Sequence, residues 1–239
     1  MPEHAGEALG QGHSTLAERL SAVQSQIQDA CRGAGRDASE VTLIPVTKFH
    51  GPELVEGLVD LGVRRFAESR HPEARDKAEA LSVRAEDLEW HFVGQVQTKK
   101  ARQIAQYVDA IHSIDRAGLV DALSSIEREH PLPVFVQVNM TPDPERGGVQ
   151  PDELDALVEH VLATQALELE GLMCVAPLGG EPRVSFAALR ELSVRIQTIA
   201  PMATALSMGM SNDFREAIEN GATHLRIGAA ITGKRPDRT

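Results

Sequence analysis

Short apolar runs rich in β-formers recur along the chain and alternate with segments whose apolar residues fall at helical spacing. The runs are VTLIPVTK (41–48), VRRFAES (63–69), EWHFVG (89–94), AIHSID (110–115), PVFVQVN (133–139), GLMCVAP (171–177), ATALSMG (203–209) and HLRIGA (224–229). Between them, Leu54, Leu58 and Leu61 mark one helical face, as do Leu154, Leu157, Val158 and Val161, and then Leu189, Leu192, Ile196 and Ile199. A leading helix precedes the first run. Leu16, Leu20, Val23 and Ile27 share its face, Thr15 and Glu18 form a capping box, and Gly33 can end it. Eight strands alternating with helices predict an α/β fold, a single (βα)8 TIM barrel with an extra amino-terminal helix; a doubly wound open sheet is the alternative. Pro45 has no N–H to give to a ladder, so a bulge is expected within strand 1.

At 239 residues the chain suits one such barrel, expected over residues 14–233, with 1–13 a disordered extension and 234–239 a flexible tail. Charged residues make up 25% and hydrophobic ones 42%, and the net charge of −11 argues against nucleic acid or an anionic membrane as main partner. Two cysteines, Cys31 and Cys174, are no disulfide framework, and neither a signal pattern nor an apolar run of about 18 residues is present. A soluble cytoplasmic monomer is expected.

Three places carry candidate chemistry. Strand 1 puts Thr42, Ile44, Val46 and Lys48 on one face, which leads an amine to the carboxyl end of a barrel strand. To attack a carbonyl that amine must be neutral, against an ordinary pKa of about 10.4; a snorkelling lysine is the bland alternative. Strand 8 directs Arg226 and Gly228 inward. Its neighbour in a barrel is strand 1, so Lys48 and Arg226 are expected to face each other around an anion, unless Arg226 pairs with an inward carboxylate such as Glu68. In LSMGMSND (206–213), Ser207, Gly209 and Ser211 form the junction between strand 7 and a helix, with Asp213 and Glu216 as a capping pair and Gly221 as the stop. Gly228-Ala229-Ala230 supplies further backbone donors, and the two turns match the phosphate site of many barrels. Ordinary N-cap chemistry at Ser211 is the alternative. A phosphate, an amine and an arginine fit pyridoxal phosphate, with Lys48 as the Schiff-base lysine.

VTLIPVTK, FAESR, WHFVGQVQTKKAR, IHSIDR, LSMGMSNDFREAIENGATHLRIG and ITG resemble the pyridoxal phosphate homeostasis proteins (the YggS/PROSC family) over roughly residues 14–233. That family is similar in fold to the amino-terminal barrel of alanine racemases, the fold type III barrel. The resemblance implies pyridoxal 5'-phosphate as cofactor, held on Lys48. It places Ser207, Met208, Gly209, Ser211, Gly228 and Ala229 around the phosphate, Arg226 against the pyridine nitrogen, and Ser69, His91 and Phe92 near the ring. Ala67 and Ser69 depart from the family's Gly-Glu-Asn segment, and Lys99 replaces an asparagine. Ala229 replaces a hydroxyl residue, which removes one charge-assisted bond worth about 1.5–3 kcal/mol at most.

Arginine only donates, so an Arg226 bond leaves the pyridine nitrogen unprotonated and the ring a poor electron sink. The expected chemistry is reversible aldimine exchange in a carrier that supplies apo-enzymes. A racemase is the rival, but it needs a second base, and the one tyrosine, Tyr107, lies before strand 4. No metal is expected, because His91 and His112 lie on different strands without partners at metal spacing. Cys174 is expected to be a small core residue, and the loop 140–151 a surface connection with the length for a lid.

Overall fold

The computed structural model describes residues 14–83, 87–141, 143 and 145–235. The extension expected over 1–13 and the end of the expected tail, 236–239, lie outside the described residues. The chain starts with α1 (Leu16–Gly33), whose Thr15–Glu18 capping box is complete: the Thr15 hydroxyl accepts from the Glu18 amide and the Glu18 carboxylate accepts from the Thr15 amide. Its apolar face buries Leu20, Val23, Ile27 and Cys31.

A strand lies in or overlaps each of the eight expected runs: β1 (Thr42–Pro45), β2 (Arg65–Glu68), β3 (Glu89–Phe92), β4 (Ala110–Ile114), β5 (Leu132–Gln137), β6 (Leu167–Met173, which starts four residues before its expected run), β7 (Ala205–Ser207) and β8 (His224–Ile227). Helices α2 (Pro52–Asp60), α3 (His71–Leu81), α4 (Ala101–Ala105), α5 (Ala117–Ser124), α6 (Leu154–Leu162), α7 (Pro182–Ile196) and α8 (Phe214–Glu219) separate them, and α9 (Ala229–Thr232) follows β8. All strand pairs are parallel, in the order β1-β8-β7-β6-β5-β4-β3-β2. A single bridge, Val46 to Ala67, brings β1 back to β2 and nearly closes the barrel. The first and last strands are therefore neighbours, which no doubly wound sheet allows.

The Pro45 bulge does not form. β1 pairs with β8 in unbroken register from Thr42–His224 to Pro45–Ile227. Thr42 and Val46 send their amides to β8, reaching Thr223 O at 2.7 Å and Ile227 O at 2.8 Å. Residues of the other parity turn theirs toward β2, as Thr47 does to Ala67 O at 3.1 Å. Pro45 shares that parity where β2 pairing has not yet begun, so its missing N–H removes no ladder bond.

Alternation splits the buried residues. Ile44, Val46 and Ala67 cluster inside the barrel, while Phe66, Phe92, Leu225 and Ile227 join the main core between strands and helices. The helix α1 packs over the last two strand–helix units. Arg19 Nε donates to Ile231 O at 2.7 Å, and Arg36 Nη1 donates to Ile218 O and Ala222 O at 3.0 and 2.8 Å. These bonds satisfy carbonyls at helix ends and fix the segments that carry the candidate anion turns. The 140–151 connection folds back on β5. Asn139 Nδ2 donates to Asp143 O and Arg146 O at 2.8 and 2.9 Å, and Val138 bridges to Val149. Among the described residues no helix is long and apolar enough to cross a membrane.

Candidate functional site

The two turns after β7 and β8 meet at the barrel mouth. Gly209 holds φ at 93°, and a Cβ there would lie 2.7 Å from Ala217 Cβ, so only glycine makes this turn. Ser211 Oγ then stands 3.4 Å from the Ala230 amide, which joins the two turns. The amides of Ser211, Gly228 and Ala229 meet no protein acceptor among the described residues and can cradle an anion. The expected Asp213–Glu216 capping pair is absent. Asp213 Oδ1 instead accepts from the Met210 amide at 2.5 Å, which tightens the turn in front of α8. Gly221, with φ 93°, follows α8 as the expected stop.

Two residues expected beside the phosphate are committed elsewhere. Met208 is fully buried in the main core and its amide donates to His224 O at 3.1 Å. Ser207 points into the barrel, where its hydroxyl accepts from Arg226 Nη1 at 2.6 Å and lies 2.7 Å from His112 Nδ1. Strand parity decides both: Met208 takes the helix side and Ser207 the interior.

Arg226 is the electrostatic centre of the interior. It is 4% exposed, and its second terminal nitrogen, Nη2, donates to Cys174 O at 2.8 Å. Burial lowers its pKa from the ordinary value. Among the described residues it forms no ion pair, and the alternative partner, Glu68, faces the opposite way. Glu68 Oε1 accepts from Lys77 Nζ at 2.5 Å and from the Thr47 hydroxyl at 2.7 Å, in the layer between β2 and α3. Cys174 is a buried thiol pushed up to about 12 by that burial, in keeping with a packing role.

Lys48 lies in the turn beyond β1, exposed, with Nζ 5.9 Å from the Phe49 ring centroid. The guanidinium groups of Arg70 and Arg235 approach the same ring at 5.3 and 3.7 Å, and Phe49 itself has φ 71°. A positive φ at a bulky residue is strained, and it directly follows the candidate nucleophile. Lys77 Nζ also donates to Thr47 O at 2.8 Å, which fixes the backbone just before Lys48. Lys48 and Arg226 do not face each other as expected. Register sets Arg226 beside Ile44, four residues before Lys48, so Lys48 stands nearer the mouth.

His91 and His112, on different strands, are brought together by the barrel. His91 Nδ1 lies 2.8 Å from His112 Nε2, in a buried chain that runs from Arg226 through Ser207 to His91. Phe135 stacks on His112 at 4.2 Å between centroids, and His224 meets both rings edge-on. The sequence signal for His112 is an imidazole in a strand otherwise made of Ala, Ile and Ser. A register shift between Ile111 and Ile114 of β4 lets both isoleucines join the helix-side core. Among the described residues no group of three or more His, Cys, Asp or Glu side chains is placed to hold a metal.

Ser69 and Phe92 line a cleft of about 280 Å³ with His71, Gln95, Gln97 and Lys100, and Phe92 belongs to the helix-facing core. A second cavity, of about 210 Å³, opens at the mouth among Gln95, Gln137, Asn139, Arg146, Met173 and Val175. Lys99 is exposed on a 3-10 turn. Tyr107 lies just past α4, its hydroxyl 3.1 Å from His71 Nδ1 and held well above its usual pKa by burial.

The family model for the alanine racemase N-terminal domain matches residues 19–236. A pyridoxal phosphate homeostasis protein of Mycobacterium leprae is 39% identical over 242 residues, 94% of this chain and 94% of that protein. The protein of the same name from Escherichia coli is 34% identical and covers 92% and 97%. PipY of Synechococcus elongatus, solved with PLP bound, has a TM-score of 0.81 at 33% identity over 92% of this chain and all of that one, 100%. Alanine racemase of Corynebacterium glutamicum shares the fold alone, with a TM-score of 0.66 at 16% identity, covering 91% of this chain and 61% of that one. Matched over nearly its whole length by the domain and by these relatives, the chain belongs to the pyridoxal phosphate homeostasis protein family, built on the alanine racemase N-terminal barrel.

Proposed function

We propose that this protein binds pyridoxal 5'-phosphate at the barrel mouth and serves vitamin B6 homeostasis as a carrier rather than as an enzyme. The observation that carries this reading is Arg226, a buried guanidinium with no ion pair among the described residues, lying below two turns with unclaimed amides. A buried cation without counter-charge is costly, and a ligand that brings both an acceptor and an anion offsets that cost. The names of the relatives and the PLP bound to PipY support the same ligand.

When bound, the cofactor supplies an aldehyde that condenses reversibly with a neutral amine. Lys48 is the amine at the mouth. Ser211, Gly228 and Ala229 hold the phosphate through the serine hydroxyl and main-chain N–H groups, and Ser69 borders the entrance. Arg226 has five N–H groups and no acceptor, so it can donate to a ring nitrogen but cannot protonate it usefully. His91 lies beneath Arg226 in the chain of buried bonds, and Phe92 supports β3 from the helix side. No base stands opposite Lys48 in this reading, which therefore favours holding and release over α-proton chemistry. It makes the protein a cytoplasmic monomer that hands the cofactor to apo-enzymes.

The test is to load the protein with pyridoxal phosphate, reduce it with borohydride and map the adduct by peptide mass spectrometry. Modification at Lys48, lost in Lys48→Ala, is expected, together with transfer from the unreduced protein to an apo-enzyme. No adduct, or an adduct that persists on another lysine, overturns the reading.

A further inference from the structure

The geometry points to His112 as a positioning residue that orients Arg226 through the Ser207 hydroxyl, in a chain of hydrogen bonds with one fixed direction. This inference rests on the proposed cofactor site only for its consequence; the direction of the chain follows from the residues alone. Arg226 can only donate, so Ser207 Oγ, 2.6 Å from Nη1, must accept. The Ser207 hydroxyl then has its own proton to place, and His112 Nδ1 lies 2.7 Å away. A hydroxyl oxygen can accept twice, but a proton on Nδ1 would leave the buried Ser207 hydroxyl proton with no acceptor among the described residues, so Nδ1 carries the lone pair and the His112 proton sits on Nε2. Across 2.8 Å, Nε2–H donates to His91 Nδ1, and His91 in turn carries its proton on Nε2. His91 Nε2 is buried without a hydrogen-bond partner and points toward Glu89, whose carboxylate is 3.8 Å away.

Once the Ser207 proton has its acceptor, each later step follows from the one before it. The chain begins at a cation that cannot reverse its role and ends near a carboxylate at the opposite rim of the barrel. The environment keeps His112 neutral, as the direction requires: burial above all, with the Arg226 guanidinium close by, lowers its pKa well below the ordinary value. Phe135 stacked on the ring fixes its plane. Without His112 the Ser207 hydroxyl is free to rotate, and the lone pair that Arg226 meets loses its fixed direction.

The first experiment needs no cofactor. Nitrogen-15 spectra of the unloaded protein at neutral pH should show His112 unprotonated at Nδ1 and protonated at Nε2; a proton on Nδ1 overturns the inference. The second uses loaded protein. His112→Phe keeps the stacking and removes the acceptor. It should shift the visible absorption band and weaken pyridoxal phosphate binding about tenfold, the factor for one displaced bond to a charged group. Ser207→Ala should reproduce both effects, and His112→Gln, which retains an acceptor oxygen, should restore most of the affinity. Wild-type band and affinity in both His112→Phe and Ser207→Ala overturn the inference. A wild-type protein that binds no pyridoxal phosphate removes the proposed function and leaves the nitrogen spectra to decide the tautomer.

Discussion

Lys77 Nζ lies 2.5 Å from Glu68 Oε1, with side chains only 5% and 2% exposed, directly behind the end of β1. The same ammonium donates to Thr47 O, and the Thr47 hydroxyl donates to the same carboxylate oxygen. Three bonds thus fasten α3 and β2 to the residue before Lys48. The second oxygen, Glu68 Oε2, is buried without a partner, so this carboxylate depends on Lys77 for its counter-charge. Lys77→Met should therefore cost about 3–5 kcal/mol, the usual effect of leaving a buried charge uncompensated. Urea denaturation measures it, and Lys77→Met with Glu68→Leu should recover most of the loss. A single variant as stable as wild type would show that the carboxylate finds water or takes up a proton.

The phosphate turns predict a gain. Ala229 follows Gly228 at the start of α9, with an exposed side chain and an amide that has no protein acceptor among the described residues. Ala229→Thr adds a hydroxyl to this donor set and should tighten pyridoxal phosphate binding by up to about 1.5–3 kcal/mol. Titration of both proteins by absorbance checks it; equal or weaker affinity means that main-chain donors already saturate the anion.

Acid should weaken the fold before it reaches the carboxylates. Burial lowers His224 to about 4 and takes His112 well below its ordinary value. Both imidazoles therefore bind fewer protons folded than unfolded as pH falls below about 6.5. Their contribution is complete above that pH and declines on acidification, for His224 until about pH 4. The slope is at most about 1.4 kcal/mol per pH unit for each group. Denaturation midpoints between pH 7 and 5 should fall, and His224→Gln should flatten the profile. Glu89 acts lower. The His91 imidazole, and then Arg65, hold its carboxyl down at about 2, so its contribution is lost only as pH drops from about 4.5 toward that value.

Carrier and racemase differ in one measurement. In the proposed reading Arg226 cannot protonate a ring nitrogen and Tyr107 is held against His71, so α-proton removal is given neither a sink nor a second base. Loaded protein in heavy water with alanine and other amino acids should incorporate no deuterium at the α-carbon. Incorporation dependent on Lys48 at about 1 per second or faster would make the protein an enzyme.

The sequence by itself determined whatever depends on near neighbours. Alternation placed Ile44 and Val46 inside the barrel and Leu225 and Ile227 outside it, because side-chain direction along a strand has period two. The Thr15–Glu18 box and the Gly209 turn were legible because each is settled within a few residues. Tertiary structure decided everything that depends on which strands lie side by side and at what height. Pro45 needs no bulge because its nitrogen, which carries no hydrogen, faces β2 before pairing there begins. Lys48 and Arg226 are offset because the β1–β8 register, not the order of the strands, sets their levels. His112 and Ser207, 95 residues apart, share a hydrogen bond because the stagger of the strands brings the inward imidazole of β4 to the height of the β7 end. Such meetings are fixed by the stagger of the closed barrel, a property of all eight strands together that no local window of sequence contains.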